Sequence, residues 1–364
     1  MTQEAPLVIA EVHGRVGCIT LNRPKALNAL SLDMIRDLTA NLLAWRDDPA
    51  VVAVAIRGNS KEGPFGAFCA GGDIRFFHQA ALAGDPRLED FFTEEYALNH
   101  IVHTYPKPYI AFMDGICMGG GMGISQGASL RVVTERSKLA MPETNIGLFP
   151  DVGGGYFLSR CTGRLGEYLA LTGHVLQGKD AMAAGLADGF IESGRLAGLW
   201  NSLINTPFEN GEAVQRWVAN HLQTTPPKAP WPAAEIDRIF TQTKVREIVA
   251  TLEGTDSDWA QATAKVLRQR SPLMLHVVLE QIRRARKLGL ADDLRMERGL
   301  VRRCFSLRPA ATSETVEGIR ALAVDKDHTP KWNPARVEDV TPDQVAAFFE
   351  PPWPAHAHPL RHLG

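Results

Sequence analysis

"KPYIAFMDGICMGGGMGIS" occupies residues 107–125. Its first half is a continuous apolar run, the pattern of a strand buried on both faces of a parallel sheet. Its second half is glycine-rich and opens a predicted helix. "AVVAVAIRG" (50–58) repeats the buried-strand pattern upstream, and "CAGGDI" (69–74) follows it as a second glycine cluster. "SLRVVTE" (129–135) supplies a third strand. Working outward, residues 7–12 and 16–21 flank His13-Gly14-Arg15 and predict a hairpin. "SLDMIRDLTANLLAWRDD" (31–48) opens on an N-cap serine and spaces Ile35, Leu38, Leu42 and Trp45 as one helical face. Helical sequence also covers 74–103. Residues 1–190 thus alternate strand and helix, which predicts an α/β core.

The character changes after about residue 191. Stretches 195–204, 212–222, 234–240, 259–270, 272–287, 292–305 and 314–324 read as helices, with no convincing strand among them. "TTPPKAPWP" (224–232) reads as an exposed connection, and "EPPWPAHAHPLRHLG" (350–364) as a tail. The expected division is a core over 1–194, a helical region over 195–350 and a Pro/His-containing tail over 351–364.

The 364 residues carry 39 basic and 41 acidic side chains, a net charge of −2, which gives no reason to expect a nucleic-acid partner. No apolar run approaches the roughly 18 residues that span a bilayer, so no membrane partner is expected. The amino terminus, "MTQEAPLVIAEVHG", lacks a basic region. The five cysteines show no paired spacing, which suits a reducing cytosol and gives a cytoplasmic expectation. No metal is expected: His100 and His103 lie three apart on a predicted helix, and no Cys cluster or HExxH supports them. "QIRRARK" (281–287) reads as a solvated basic helix face in preference to a phosphate-receiving one.

Each glycine cluster presents free backbone N–H groups at a helix start, which favours negative charge opposite it. A phosphate loop fails because no Lys-Ser/Thr follows, and a dinucleotide fingerprint lacks its third glycine. The remaining functional reading is an oxyanion hole made by amides from two loops. For either cluster alone, close helix–strand packing is the stronger reading. "MPETNIGLFPDVGGG" (141–155) places Glu143 and Asp151 eight residues apart in a loop of Pro, Gly and isolated apolar residues. A carboxylate held there against apolar surroundings has its ionisation perturbed. Taken singly, Glu143 as a turn cap and Asp151 as the N-cap of a helix begun by Val152 are the better readings.

The order "LNRPKALNAL" (21–30), "FCAGGDI" (68–74), "DGICMGGGMGIS" (114–125) and "AMPETNIGLFPDVGGGYFLSR" (140–160) resembles the crotonase, or enoyl-CoA hydratase/isomerase, superfamily. "EEYALN" (94–99) and "EGIRALAVDKDHTPKWNP" (317–334) extend the resemblance to its 3-hydroxyisobutyryl-CoA hydrolase branch. The resemblance implies a crotonase-like spiral of ββα units with a C-terminal helical region completing an acyl-CoA site. It further implies that Ala70 and Gly120 offer their N–H groups to a thioester oxygen. Glu143 then does proton-transfer or covalent work, Asp151 is a second catalytic acid, and Glu95 contacts substrate. Hydratases carry a second glutamate three residues after the oxyanion glycine; here that place is Gly123. This favours hydrolysis of a short branched β-hydroxyacyl-CoA, with valine breakdown as the implied pathway. Water addition or double-bond isomerisation, and a non-catalytic acyl-CoA-binding protein, are the alternatives. No cofactor is expected beyond the CoA of the substrate, and the superfamily's habit of assembling as trimers implies a homo-oligomer.

Overall fold

The computed structural model describes residues 5–364. Its main sheet runs in the order Val8–His13, Val16–Leu21, Ala53–Ser60, Tyr109–Phe112, Leu130–Val133 and Gly189–Phe190, with Gly63–Pro64 paired to the third strand. The first two strands form the expected antiparallel hairpin, from Val8 opposite Leu21 to His13 opposite Val16. Every later pairing along that path is parallel. Alternate side chains divide the sheet's apolar residues between two faces. Ala53, Ala55, Ile110, Phe112, Leu130 and Val132 pack against Leu196, Leu199, Trp200 and Leu203 of the helix Ser193–Asn205, and against Val214 and Val218 of Gly211–Ala219. The helix Leu32–Asp47 starts where the Ser31 hydroxyl accepts from the Met34 amide at 3.3 Å, and it buries Ile35, Leu38, Leu42 and Trp45.

A second, three-stranded sheet joins Ile116–Met118, Lys138–Ala140 and Leu176–Gln177. Strands of two and three residues show no period in a sequence, and none of these was expected. The helices Val245–Glu253 and Pro342–Phe349 were also not expected. The second of them does carry a start signal, a capping box between Thr341 and Gln344 with Pro342 at the first helical position.

The chain divides into two compact units that interleave in sequence. One comprises the chain to Gly72, Ala97–Ala140 and Val175–Pro230; the other comprises Asp73–Tyr96, Met141–His174 and Trp231–Gly364. The first holds both sheets. The second is helical, and its Pro272–Ala285 helix is buried on most of its surface.

Two expectations for the helical unit are corrected. The C-terminal segment is packed rather than a solvated tail: Leu360 and Leu363 are buried, and Arg295 Nε donates to the Leu360 carbonyl at 3.2 Å. The stretch 281–287 is solvated on one side only, where Arg284 and Lys287 are exposed. Gln281 and Ile282 are fully buried, and Arg286 pairs at 2.6 Å with Glu167, itself inaccessible to solvent.

Candidate active site

In the sheet-bearing unit, hydrogen bonds bring the two glycine clusters side by side. The Cys69 amide donates to the Ile116 carbonyl at 2.8 Å, and the Met118 amide donates to the Cys69 carbonyl at 2.9 Å. A Cβ on Gly121 would stand 2.3 Å from the Cys69 oxygen, so this approach requires glycine. Asn28, fully buried, donates from Nδ2 to the carbonyls of Ala67 and Phe68 at 2.9 and 3.1 Å. Asp114 accepts from the Gly66 amide at 2.7 Å and from Thr134 Oγ1 at 2.6 Å, tying the segments before each cluster together. The neighbouring Cys117 thiol is pushed up to about 12 by burial, which leaves it a small hydrophobe rather than a nucleophile.

This geometry corrects one residue. The Ala70 N–H already donates to the Leu27 carbonyl at 3.0 Å and has no hydrogen to offer a substrate. The Gly71 carbonyl accepts from the Leu30 amide at 2.8 Å. The peptide plane is trans, so the N–H of Gly72 points away from Leu30. Gly72 N–H has no acceptor among the described residues, and neither has that of Gly120, at the start of the short helix Gly120–Gly123. The free amide assigned here to the "CAGGD" turn is therefore that of Gly72.

In the helical unit Glu95, Asp151 and Glu143 are buried, 2 %, 6 % and 7 % exposed respectively. Glu143 opens a short 3-10 turn, Glu143–Ile146, that ends at Gly147. Thr315 Oγ1 donates to the Gly147 carbonyl at 2.7 Å and Thr144 Oγ1 to the Leu171 carbonyl at 3.1 Å, fixing that turn from two sides. Glu95 lies on the helix Arg87–His103. Asp151 is not the N-cap of the following helix; Gly153 is, and the helix is Gly154–Ser159. The Asp151 carboxyl accepts instead from the Tyr96 hydroxyl at 2.8 Å. The next residue, Val152, stands at φ 57°, a conformation that costs a β-branched residue on the order of 1–3 kcal/mol.

Electrostatics follow from burial. Asp151 is pushed up to about 6 by loss of water, against the downward pull of the Tyr96 hydroxyl. Glu143 and Glu95 are raised well above the usual carboxylate range, first by burial and then by the charge of Asp151. Glu143 Oε2 and Glu95 Oε1 have no hydrogen-bond partner among the described residues. Buried carboxyl oxygens left open in this way are costly to a fold and useful to a reaction.

Glu297 and Asp293, also buried, were missed from the sequence. Glu297 Oε2 accepts from the Gly153 amide at 2.7 Å and its Oε1 from the Gly155 amide at 2.8 Å; Asp293 Oδ2 accepts from the Tyr156 amide at 2.9 Å. Tyr96 was also passed over, although it sits beside Glu95 in "EEY".

The family model described as "Enoyl-CoA hydratase/isomerase" matches residues 16–349. The chain belongs to that family. It is 40% identical over 356 residues to "3-hydroxyisobutyryl-CoA hydrolase, mitochondrial" of Gallus gallus, covering 96% of this chain and 90% of that protein. The Homo sapiens protein of the same name is 40% identical over 355 residues, with the same two coverages. Among solved structures, a carnitinyl-CoA dehydratase from Mycobacterium thermoresistibile superposes with a TM-score of 0.85 at 39% identity, covering 96% of this chain and 98% of that one. An enoyl-CoA hydratase from Rhodobacter sphaeroides 2.4.1 gives 0.82 at 37%, covering 95% and 98%. These likenesses bear out the α/β, crotonase-like fold. The cytoplasmic expectation is overturned by the relatives, whose names place them in mitochondria. All five cysteines are free and buried, but free thiols report reducing surroundings without saying which compartment supplies them.

Proposed function

We propose that this family member hydrolyses the thioester of a short branched β-hydroxyacyl-CoA, with 3-hydroxyisobutyryl-CoA the leading substrate, releasing 3-hydroxyisobutyrate and free CoA. The observation that carries the reading is the buried carboxyl cluster of Glu95, Glu143 and Asp151, two of its oxygens unpartnered, in a chain 40% identical to hydrolases named for that substrate.

Attack on a thioester carbonyl places negative charge on its oxygen. The amides of Gly72 and Gly120 are the donors for that oxygen; one such donor is typically worth about 2.7–4 kcal/mol. Glu143 acts on the carbonyl carbon by one of two routes. As nucleophile, its carboxylate forms a mixed anhydride, the thiolate leaves with a proton as CoA thiol, and water then cleaves the anhydride. As base, it takes a proton from the water that attacks directly. Asp151, oriented by Tyr96, positions that water or shares its proton. Glu95 hydrogen-bonds the substrate hydroxyl.

A thiol-release assay over a panel of hydroxylated and unsaturated C4 acyl-CoAs tests the reading. Free thiol from the hydroxylated substrates is expected, with Glu143→Gln lowering kcat by about 10²–10⁴; wild-type turnover in that variant would remove Glu143 from the scheme. Label from ¹⁸O water appearing in the Glu143 side chain requires the anhydride route. The dehydratase and hydratase titles of the structural relatives favour a second reading, reversible water addition. It predicts a change in the ultraviolet absorbance of a conjugated thioester with no thiol released. The side-chain-free Gly123, where such enzymes place their second glutamate, argues against it.

A further inference from the structure

Asp293 and Glu297 lie one turn apart on a single face of the helix Leu290–Ser306, and both are inaccessible to solvent. Two carboxyls so placed repel one another and are costly to take out of water. Neither forms an ion pair within 4 Å among the described residues. An apolar pair would avoid that cost, which has to be set against a task that carbon cannot perform.

That task is visible in what they hold. Glu297 spans the amides of Gly153 and Gly155, and Asp293 takes the next amide, that of Tyr156. Gln281, fully buried, donates to Glu297 Oε1 at 3.1 Å and, from the same nitrogen, to the Pro150 carbonyl at 2.7 Å. The backbone is thus gripped immediately before Asp151 and two residues after it. Val152, the strained residue at φ 57°, sits inside the grip. A Cβ on Gly155 would stand 2.6 Å from Asp293 Oδ1, so the fit leaves no slack.

We propose that Glu297 and Asp293 are positioning residues for the Asp151 turn, a two-carboxyl clamp on the amides of Gly153, Gly155 and Tyr156 that sets the direction of the Asp151 side chain. The proposal rests on the thioesterase reading for its consequence in catalysis, but not for the clamp itself. Hydrogen bonds from the amides of Gly153, Gly155 and Tyr156 to fixed carboxyl oxygens suit such a role because they set direction as well as distance. A displacement of about 1 Å at a catalytic group costs on the order of 10² in rate.

Two variants of the full chain test this. Glu297→Gln leaves one acceptor oxygen where three N–H donors converge, so a donor must face a donor. Asp293→Asn keeps the acceptor for Tyr156 and alters only the shared charge. The expected result is a kcat lowered about 100-fold in Glu297→Gln and about 3- to 10-fold in Asp293→Asn. KM for the hydroxyacyl-CoA is expected to stay within about threefold, because neither residue touches substrate. Wild-type kcat in both variants overturns the proposal. So does a loss of kcat and a rise of KM in step with a lowered melting temperature, the mark of a merely structural pair. Should Glu297→Gln fail to fold, Asp293→Asn decides by the same criteria. Amide hydrogen exchange over residues 150–158 needs no substrate. It is expected to quicken in the variants, and unchanged exchange overturns the clamp even if the wild-type chain proves to release no thiol.

Discussion

Among the described residues Tyr96 is the one side-chain hydrogen-bond partner of the Asp151 carboxyl. A hydroxyl donating to a carboxylate stabilises the charged form and lowers the pKa, which burial meanwhile raises to about 6. Removing the hydroxyl in Tyr96→Phe leaves burial unopposed, so the Asp151 pKa must rise. A hydrogen bond to a charged group is worth about 1.5–3 kcal/mol, or roughly one to two pKa units. If ionised Asp151 assists water, the acidic limb of the kcat profile moves from near pH 6 toward neutrality. The variant then loses about tenfold or more at pH 6 and recovers much of its activity at pH 8. A limb unmoved by the substitution would detach Asp151 from the rate. Among the described residues Glu143 and Glu95 have no such hydroxyl donor, and burial first, then the charge on Asp151, raises each well above the usual carboxylate range.

At the scale of elements, the parallel sheet and the two glycine turns depend on backbone approaching backbone. Gly121→Ala puts a methyl 2.3 Å from the Cys69 carbonyl, and backbone cannot yield as a flexible side chain would. We expect a loss of about 1–3 kcal/mol in denaturant unfolding, the usual cost of overpacking, together with a fall in thiol release as the Gly72 and Gly120 amides separate. A wild-type unfolding midpoint would mean the turns have slack. Much of this level was legible in the sequence. The Ser31 cap, the apolar runs of the central strands and the acids of "PET" and "FPD" are local signals, each readable within ten residues. What escaped reading is non-local. Glu297 meets Gly153 across 144 positions of chain, and no spacing rule connects them. Gly72 replaced Ala70 for a related reason: which way a peptide plane faces in "AGGD" depends on Leu30, far upstream, accepting its place beside Gly71.

For the molecule as a whole, the buried acids make stability depend on pH in a direction opposite to that of its surface pairs. Asp151 is raised to about 6 and Asp293 to about 7, both by burial, while Glu143, Glu95 and Glu297 rise as well. A raised carboxyl binds protons more tightly folded than unfolded, so its contribution falls as pH climbs from about 4 through the folded-state value and is level above it. For Asp151 alone that cost at pH 7 is on the order of 3 kcal/mol. Glu253 beside Arg268 and Glu317 beside Arg320 are held below the usual range, and their contribution is lost only as pH drops below about 4. Maximum stability is therefore expected in mildly acidic solution, between about pH 4 and 6, below the pH at which a buried carboxylate would serve hydrolysis best. Glu143→Gln separates the two demands. It removes a titrating group that burial penalises and keeps an acceptor in the same space, so the melting temperature at pH 8 should rise by about 2–4 °C for each kcal/mol recovered, while turnover is lost. The gain should vanish near pH 4, where the wild-type side chain is already neutral. A variant that melts lower than wild type at pH 8 would show that the Glu143 carboxyl stabilises the turn that carries it, and that the cluster's charge is no burden on the fold.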